Sequence, residues 1–141
     1  MKARLGPTKP CPCQSGVRYE ACCRPLHTAD ALPSSAEALM RSRFAAFVLG
    51  DVDYLVATLA PEHEDLAAPR AALVQTLRET CRTARFMGLT IVSANESGDG
   101  AWVQFRARVF SGGQDRSFEE TSEFRRVDGA WRYVGARAVS A

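Results

Sequence analysis

The stretch Ala101-Trp102-Val103-Gln104-Phe105-Arg106-Ala107-Arg108-Val109 decides the fold class. Its odd positions, Val103, Phe105, Ala107 and Val109, are apolar, while Trp102, Gln104, Arg106 and Arg108 fill the even ones. Successive side chains of a strand point to opposite faces, so a period of two marks a strand with one buried face. Turn chemistry brackets it, with Glu96-Ser97-Gly98-Asp99-Gly100 before and Ser111-Gly112-Gly113 after. Upstream, residues 89–94 form a run rich in β-branched side chains and supply a partner strand. Downstream, residues 118–127 and 130–137 read as two more strands joined by Asp128-Gly129, a pair suited to a two-residue hairpin.

The residues before this meander follow a helical period. Pro33-Ser34-Ser35 is a helix start, with Ser34 or Ser35 as N-cap. Met40, Phe44, Phe47 and Val48 then share one face. Gly50 ends this helix, Asp51 caps a second that buries Leu55, Val56 and Leu59, and Pro61 closes it. Pro69, as first helical residue, opens a third helix with the stripe Leu73, Val74, Leu77 and Cys81. Cys81 is in register with that stripe and reads as a small buried hydrophobe rather than a reactive thiol. Helices followed by hairpin-linked strands predict an α+β domain over residues 36–141, the helices packed on one face of an antiparallel sheet. With 141 residues and no internal repeat, one main domain plus an appendage is the expected organisation.

The appendage is residues 1–28, joined through a linker at 29–35. It holds four of the five cysteines and four of the seven prolines, without apolar periodicity. Cys11-Pro12-Cys13-Gln14-Ser15-Gly16-Val17-Arg18-Tyr19-Glu20-Ala21-Cys22-Cys23 places four thiols in thirteen residues. A disulfide between adjacent Cys22 and Cys23 needs a strained ring, and clustered cysteines in a reducing cytosol more often hold metal. Ser15-Gly16 allows the chain to fold back, Pro12 restricts it between the first ligands, and Tyr19 is the large side chain available as cover. The expected ligands are Cys11, Cys13, Cys22 and Cys23, holding zinc, or iron, which tetrahedral thiolates also accept. His27 is an alternative fourth ligand. A closed four-sulfur shell predicts a structural rather than a catalytic site. Four thiolates around a divalent ion leave about two negative charges, which Lys9, Arg18 and Arg24 are placed to offset.

Composition narrows the remaining options. The hydrophobic fraction is 46% and the charged fraction 24%, ordinary for a water-soluble domain. No apolar run approaches the roughly 18 residues that span a bilayer. The basic start, Met1-Lys2-Ala3-Arg4-Leu5-Gly6-Pro7, lacks the apolar core of a secretory signal, so the expected location is cytoplasmic. A net charge of +2 does not by itself argue for nucleic acid.

The spacing C-P-C-x-S-G-x-x-Y-x-x-C-C resembles the SEC-C motif, best known at the C-terminus of the bacterial preprotein-translocase ATPase. That likeness implies zinc binding and contacts with partner proteins. Gln14 stands where most such motifs have glycine. Ala38-Leu39-Met40-Arg41-Ser42-Arg43-Phe44-Ala45-Ala46-Phe47, Asp53-Tyr54-Leu55, Gly88-Leu89-Thr90-Ile91 and Val103-Gln104-Phe105-Arg106-Ala107 are similar to the YchJ-type SEC-C proteins of bacteria. This resemblance spans nearly the whole chain and implies a nuclear-transport-factor-2-like cone, with helices over a strongly curved antiparallel sheet. It brings no activity with it.

A cone of this kind commonly encloses a cavity. Arg41 and Arg43 flank the apolar face of the first helix, and Glu120 and Ser122 share a side of their strand with Phe118 and Phe124. Buried polar groups need partners. A packed salt bridge from Glu120 to Arg41 or Arg43, with no open space, is one expectation. A pocket for a small anion, with Glu120 as an acid or base, is the other. His63, in Pro61-Glu62-His63-Glu64-Asp65, reads as solvated, and no nucleophile–histidine–acid set or glycine-rich phosphate loop is visible. Residues 1–25 carry five side-chain cations and one acid. The sequence therefore points first to a zinc knuckle that docks an acidic protein or a ribonucleoprotein. Ligand binding or catalysis in the cavity is a second reading, and metal delivery or storage a third.

Overall fold

The computed structural model describes residue 6 and residues 8–137. Lys2 and Arg4, two of the N-terminal cations, lie outside the described residues, as do the outer ends of the expected units at residues 1 and 141. A one-turn helix α1 (Arg24–His27) follows the cysteine pair. Helices α2 (Ala36–Leu49), α3 (Val52–Ala57) and α4 (Arg70–Thr83) then precede the sheet.

Local chemistry sets the helix ends. Ser35 has extended backbone, and its hydroxyl accepts a hydrogen bond from the Ala38 amide at 3.0 Å. The Glu96 carboxylate, from the far end of the first strand, accepts from the Ala36 amide at 3.0 Å, so two orphan donors of α2 are satisfied. Gly50 (φ 73) stops α2 in the left-handed region, and the Asp51 carboxylate caps α3 through the Tyr54 amide at 3.2 Å. Pro69 is the N-cap of α4 and not its first helical residue, because its ψ of 141° keeps it extended.

The strands are β1 (Ala84–Ser97), β2 (Gly100–Ser111), β3 (Gln114–Asp115), β4 (Phe118–Val127) and β5 (Ala130–Ala136). They pair antiparallel in the order β1-β2-β4-β5, with β3 folding back onto β2. Asp128 (φ 52) and Gly129 (φ 82) make the expected tight turn. The first strand starts five residues earlier than its β-branched run, directly after α4. Register shifts between Phe86 and Gly88 and between Ile91 and Ser93 bend it, so the pattern of two is interrupted where the strand begins.

Val103, Phe105, Ala107 and Val109 of β2 are buried under the helices, as their alternation requires. Helix α2 runs through the middle of the fold and departs from a single-stripe reading. Leu39, Ser42, Arg43, Phe44, Ala45, Ala46 and Leu49 are all buried, whereas Val48 is 37% exposed. The sheet, α3 and the cysteine segment cover three sides of α2, so its small residues become core and Val48 is left facing out. The β5 edge is covered by the segment after α3. The Tyr133 amide donates to the Thr58 carbonyl, and the Ala60 amide to the Tyr133 carbonyl, both at 2.8 Å. Among the described residues no helix is long and apolar enough to cross a membrane.

Candidate metal centre and cavity

A small hairpin delivers the first two sulfurs. Pro10 and Arg18 form an antiparallel bridge, with the Cys11 amide donating to the Val17 carbonyl at 3.0 Å and the Tyr19 amide to the Lys9 carbonyl at 2.9 Å. Its turn uses positive φ twice, at Gln14 (64°) and Gly16 (86°). The 3-10 turn Tyr19–Ala21 and α1 then bring in Cys22 and Cys23.

The four Sγ atoms lie within 4.8 Å of one another. Cys13 and Cys22 are 3.6 Å apart and Cys22 and Cys23 3.9 Å. A tetrahedron with metal–sulfur bonds of about 2.3 Å has edges of about 3.8 Å, so the donor set fits a four-thiolate ion. All four are free thiols. Cys11, Cys13 and Cys23 are buried and Cys22 half-buried. Hydrogen bonds from Cys11 and Cys23 hold the Cys13 thiol well below its ordinary range, and the Cys11 and Cys23 thiols are pushed up in return. Bringing all four to thiolates requires a cation to replace the shared protons. The Ser15 hydroxyl accepts from the Val17 amide at 3.2 Å and lies 3.1 Å from the Cys22 sulfur, to which its own proton can donate.

His27 is not in the sulfur cluster. Its Nε2 lies 2.8 Å from the Ser42 carbonyl, which only accepts, so Nε2 carries a proton. Its Nδ1 is 2.8 Å from the Tyr19 hydroxyl. Both ring nitrogens are engaged, which removes it as a fourth ligand and makes it a tie between α1 and α2. Tyr19 covers the site as expected, and burial pushes its phenol up to about 12. The expected charge compensation is rearranged. Arg18 pairs with Glu20 at 3.1 Å, while Lys9 and Arg24 are exposed. Arg41 donates through Nη1 to the Cys13 carbonyl at 3.0 Å and is pinned by Glu37. Arg41 therefore belongs to the knuckle and not to the pocket, because its side of α2 faces the cysteine hairpin.

Two contacts escaped the sequence. Ala45 is fully buried against Cys11, Cys13 and Cys23. The Gln14 side chain clamps the outer edge of β1, its Nε2 donating to the Met87 carbonyl at 3.0 Å and its Oε1 accepting from the Leu89 amide at 3.3 Å. The departure from glycine at this position is the visible signal, since a non-glycine residue at positive φ needs a compensating contact.

A separate cavity of about 900 Å³ opens between the helices and the concave face of the sheet. Arg43, Glu120 and Ser122 line it, so three of the four expected pocket residues are brought together. The expected Glu120–arginine bridge is not formed. Arg43 turns to the Leu55 carbonyl (2.8 Å) and the Thr58 hydroxyl (2.6 Å), which lie where α3 ends against α2. Glu120 instead accepts from the Ser122 hydroxyl at 2.8 Å and from the Tyr133 hydroxyl at 3.5 Å. His63 is a correction too. Its side chain is 9% exposed, its Nδ1 accepts from the Asp65 amide at 3.0 Å as the cap of a 3-10 turn, and its ring lies 5.3 Å from that of Tyr133. Cys81 is half-buried among Val56, Leu73 and their neighbours, and burial raises its thiol, in keeping with a small hydrophobe.

A family model described as YchJ, middle NTF2-like domain, matches residues 35–136, and the SEC-C motif model matches residues 8–25. A UPF0225 protein of Sodalis glossinidius is 38% identical, over 92% of this chain and 84% of its own length. A UPF0225 protein of Deinococcus radiodurans is 37% identical, over 92% and 90%. The solution structure of a SEC-C motif containing protein from Rhodopseudomonas palustris superposes with a TM-score of 0.82 at 37% identity, covering 94% of this chain and all of that one. A crystal structure of a SEC-C motif containing protein from Psychrobacter arcticus gives 0.78 at 25% identity, covering 97% and 88%.

Proposed function

This chain belongs to the YchJ-like family with its NTF2-like domain, and from that premise we propose that it is a zinc-binding protein whose knuckle docks an acidic protein or a ribonucleoprotein. The observation that carries the reading is the two-sidedness of the knuckle. Its inner side is engaged by α2 and β1, through Ala45, Arg41 and Gln14. Lys9, Arg18 and Arg24 are exposed, as is Val17 at 44%, and of the three cations Arg18 is paired with Glu20. Exposed cations and an exposed apolar side chain on one small segment suit an acidic surface. Burial of three of the four cysteines supports an ion that is held rather than passed on, and free thiols suit a reducing cytoplasm. Elemental analysis of protein purified without added metal is expected to find one zinc per chain, and iron in its place would redirect the assignment. The docking test is cross-linking in cells with wild type and a Lys9→Glu/Arg24→Glu variant, both retaining metal. The partner should be lost in the variant, and an unchanged partner set would refute docking.

A different observation supports a second reading. The cavity of about 900 Å³ is of a size that takes small molecules, and it holds a buried arginine. Small-ligand binding there is compatible with a docking knuckle, since the two sites lie on different sides of α2.

A further inference from the structure

Arg43 is 7% exposed, and both of its hydrogen bonds leave from Nη1. Among the described residues no carboxylate lies within ion-pair distance of it. Its Cζ stands 4.7 Å over the Tyr133 ring. No fully sealed side-chain nitrogen or oxygen among the described residues lacks a partner, so Nε and Nη2, which bond to no protein group, are not fully sealed, and the residue that carries them lines the cavity. Burial pulls this guanidinium down to about 10, a fall that the more distant Asp65 carboxylate offsets only in part. A buried cation lacking a directly paired anion is destabilising, and a neutral side chain would bridge Leu55 and Thr58 without that penalty.

The surroundings define what would complete it. Phe44, Phe86 and Phe105 line the same space, so a ligand meets apolar walls beside one buried cation; the other lining guanidinium, Arg116, is exposed and donates to Gln114 Oε1 at 2.7 Å. Glu120 lies beyond the Tyr133 hydroxyl, and Glu64 and Asp65 stand at the loop side of the cavity. These carboxylates repel a second negative charge on anything bound at Arg43. Deepening the cavity reading, and resting on it, we infer that the cavity binds monocarboxylates with an apolar body. The carboxylate takes Nε and Nη2 of Arg43 in a bidentate pair. The body lies among Phe44, Phe86 and Phe105. Phosphomonoesters, which carry two charges near neutrality, are selected against.

The test uses the metal-loaded full chain and three probes followed by two-dimensional amide NMR: 3-phenylpropanoate, 3-phenyl-1-propanol and phenyl phosphate. The acid is expected to shift cavity amides and to bind at least tenfold more tightly than the alcohol and the phosphate. Arg43→Met should erase the preference for acid over alcohol. Should that variant not fold, Arg43→Lys, which keeps the charge but not the fork, should reduce the preference severalfold. Glu120→Gln should strengthen phenyl phosphate severalfold and leave the alcohol unchanged. Equal binding of acid and alcohol to wild type would overturn the carboxylate inference while leaving the cavity reading standing. Phosphate binding as tight as the acid would overturn the single-charge limit. No shifts with any probe would overturn the cavity reading itself.

Discussion

Gln14 shows how one side chain can outweigh a backbone preference. Its left-handed φ of 64° costs a non-glycine residue about 1 kcal/mol. Its two hydrogen bonds to β1 return about 0.5–1.5 kcal/mol each. Gln14→Ala keeps the strain and loses the bonds, so it should destabilise by about 1–2 kcal/mol. Gln14→Gly loses both terms and should stay within about 1 kcal/mol of wild type. Urea denaturation of metal-loaded protein separates the two, and equal losses would show that the clamp contributes nothing. Glu62 offers a pH test at the same scale. The Arg125 guanidinium holds its carboxyl at about 2, from an ordinary 4.5. A depressed folded-state value means that the pair stabilises above 4.5 and that this contribution fades as pH falls through about 2. The Glu62 carboxyl carbon should titrate near that lower limit by NMR and return to the ordinary range in Arg125→Met. The cysteines were legible in the sequence because four thiols in thirteen residues leave few alternatives. His63 and Tyr133 were not, because only the pairing of β5 with the segment after α3 brings them to one wall.

Among the elements, α2 carries the most. The alternation in β2 and the caps at Ser35, Gly50 and Asp51 were readable, since each signal is local. The burial of α2 was not, because a helix covered on three sides has no single stripe, and Ala45 and Ser42 became core through neighbours distant in sequence. Nor was the full length of β1, whose first residues lack β-branched side chains and pass through a bulge. The N-terminus of α2 makes a prediction from its two acceptors. Ser35→Ala should lose about 1 kcal/mol in thermal or urea unfolding. Glu96→Gln should lose less, and its effect should shrink further in salt, because only the charge on the helix terminus has been removed. A loss in Glu96→Gln that equals that of Ser35→Ala and ignores salt would contradict this account. The knuckle likewise makes a prediction from its contacts. A strong chelator should shift the amides of residues 8–27, and with them Ser42, Ala45 and Met87–Leu89, while the strand signals of Phe105 and Phe124 remain. Loss of those strand signals would mean that the ion supports the whole core.

Across the whole molecule, the sheet ends in two edges, and each is handled by a segment from outside it. The β5 edge is closed by main chain from residues 58–60. The β1 edge is interrupted by two register shifts and is covered at Met87–Leu89 by the side chain of Gln14, which the cysteine hairpin carries. An unpaired strand edge is a template for adding another chain. An ion held by the four cysteines would thereby act on colloidal behaviour as well as on local folding. Loss of that ion should expose the Met87–Leu89 backbone beside Met87 and Val92, which are already 47% and 42% exposed. Light scattering after chelation should show slow self-association that re-added metal prevents. A charge placed on that edge, Val92→Lys, should suppress it, so that scarcity of one trace element would be felt first as a tendency of these chains to stick together.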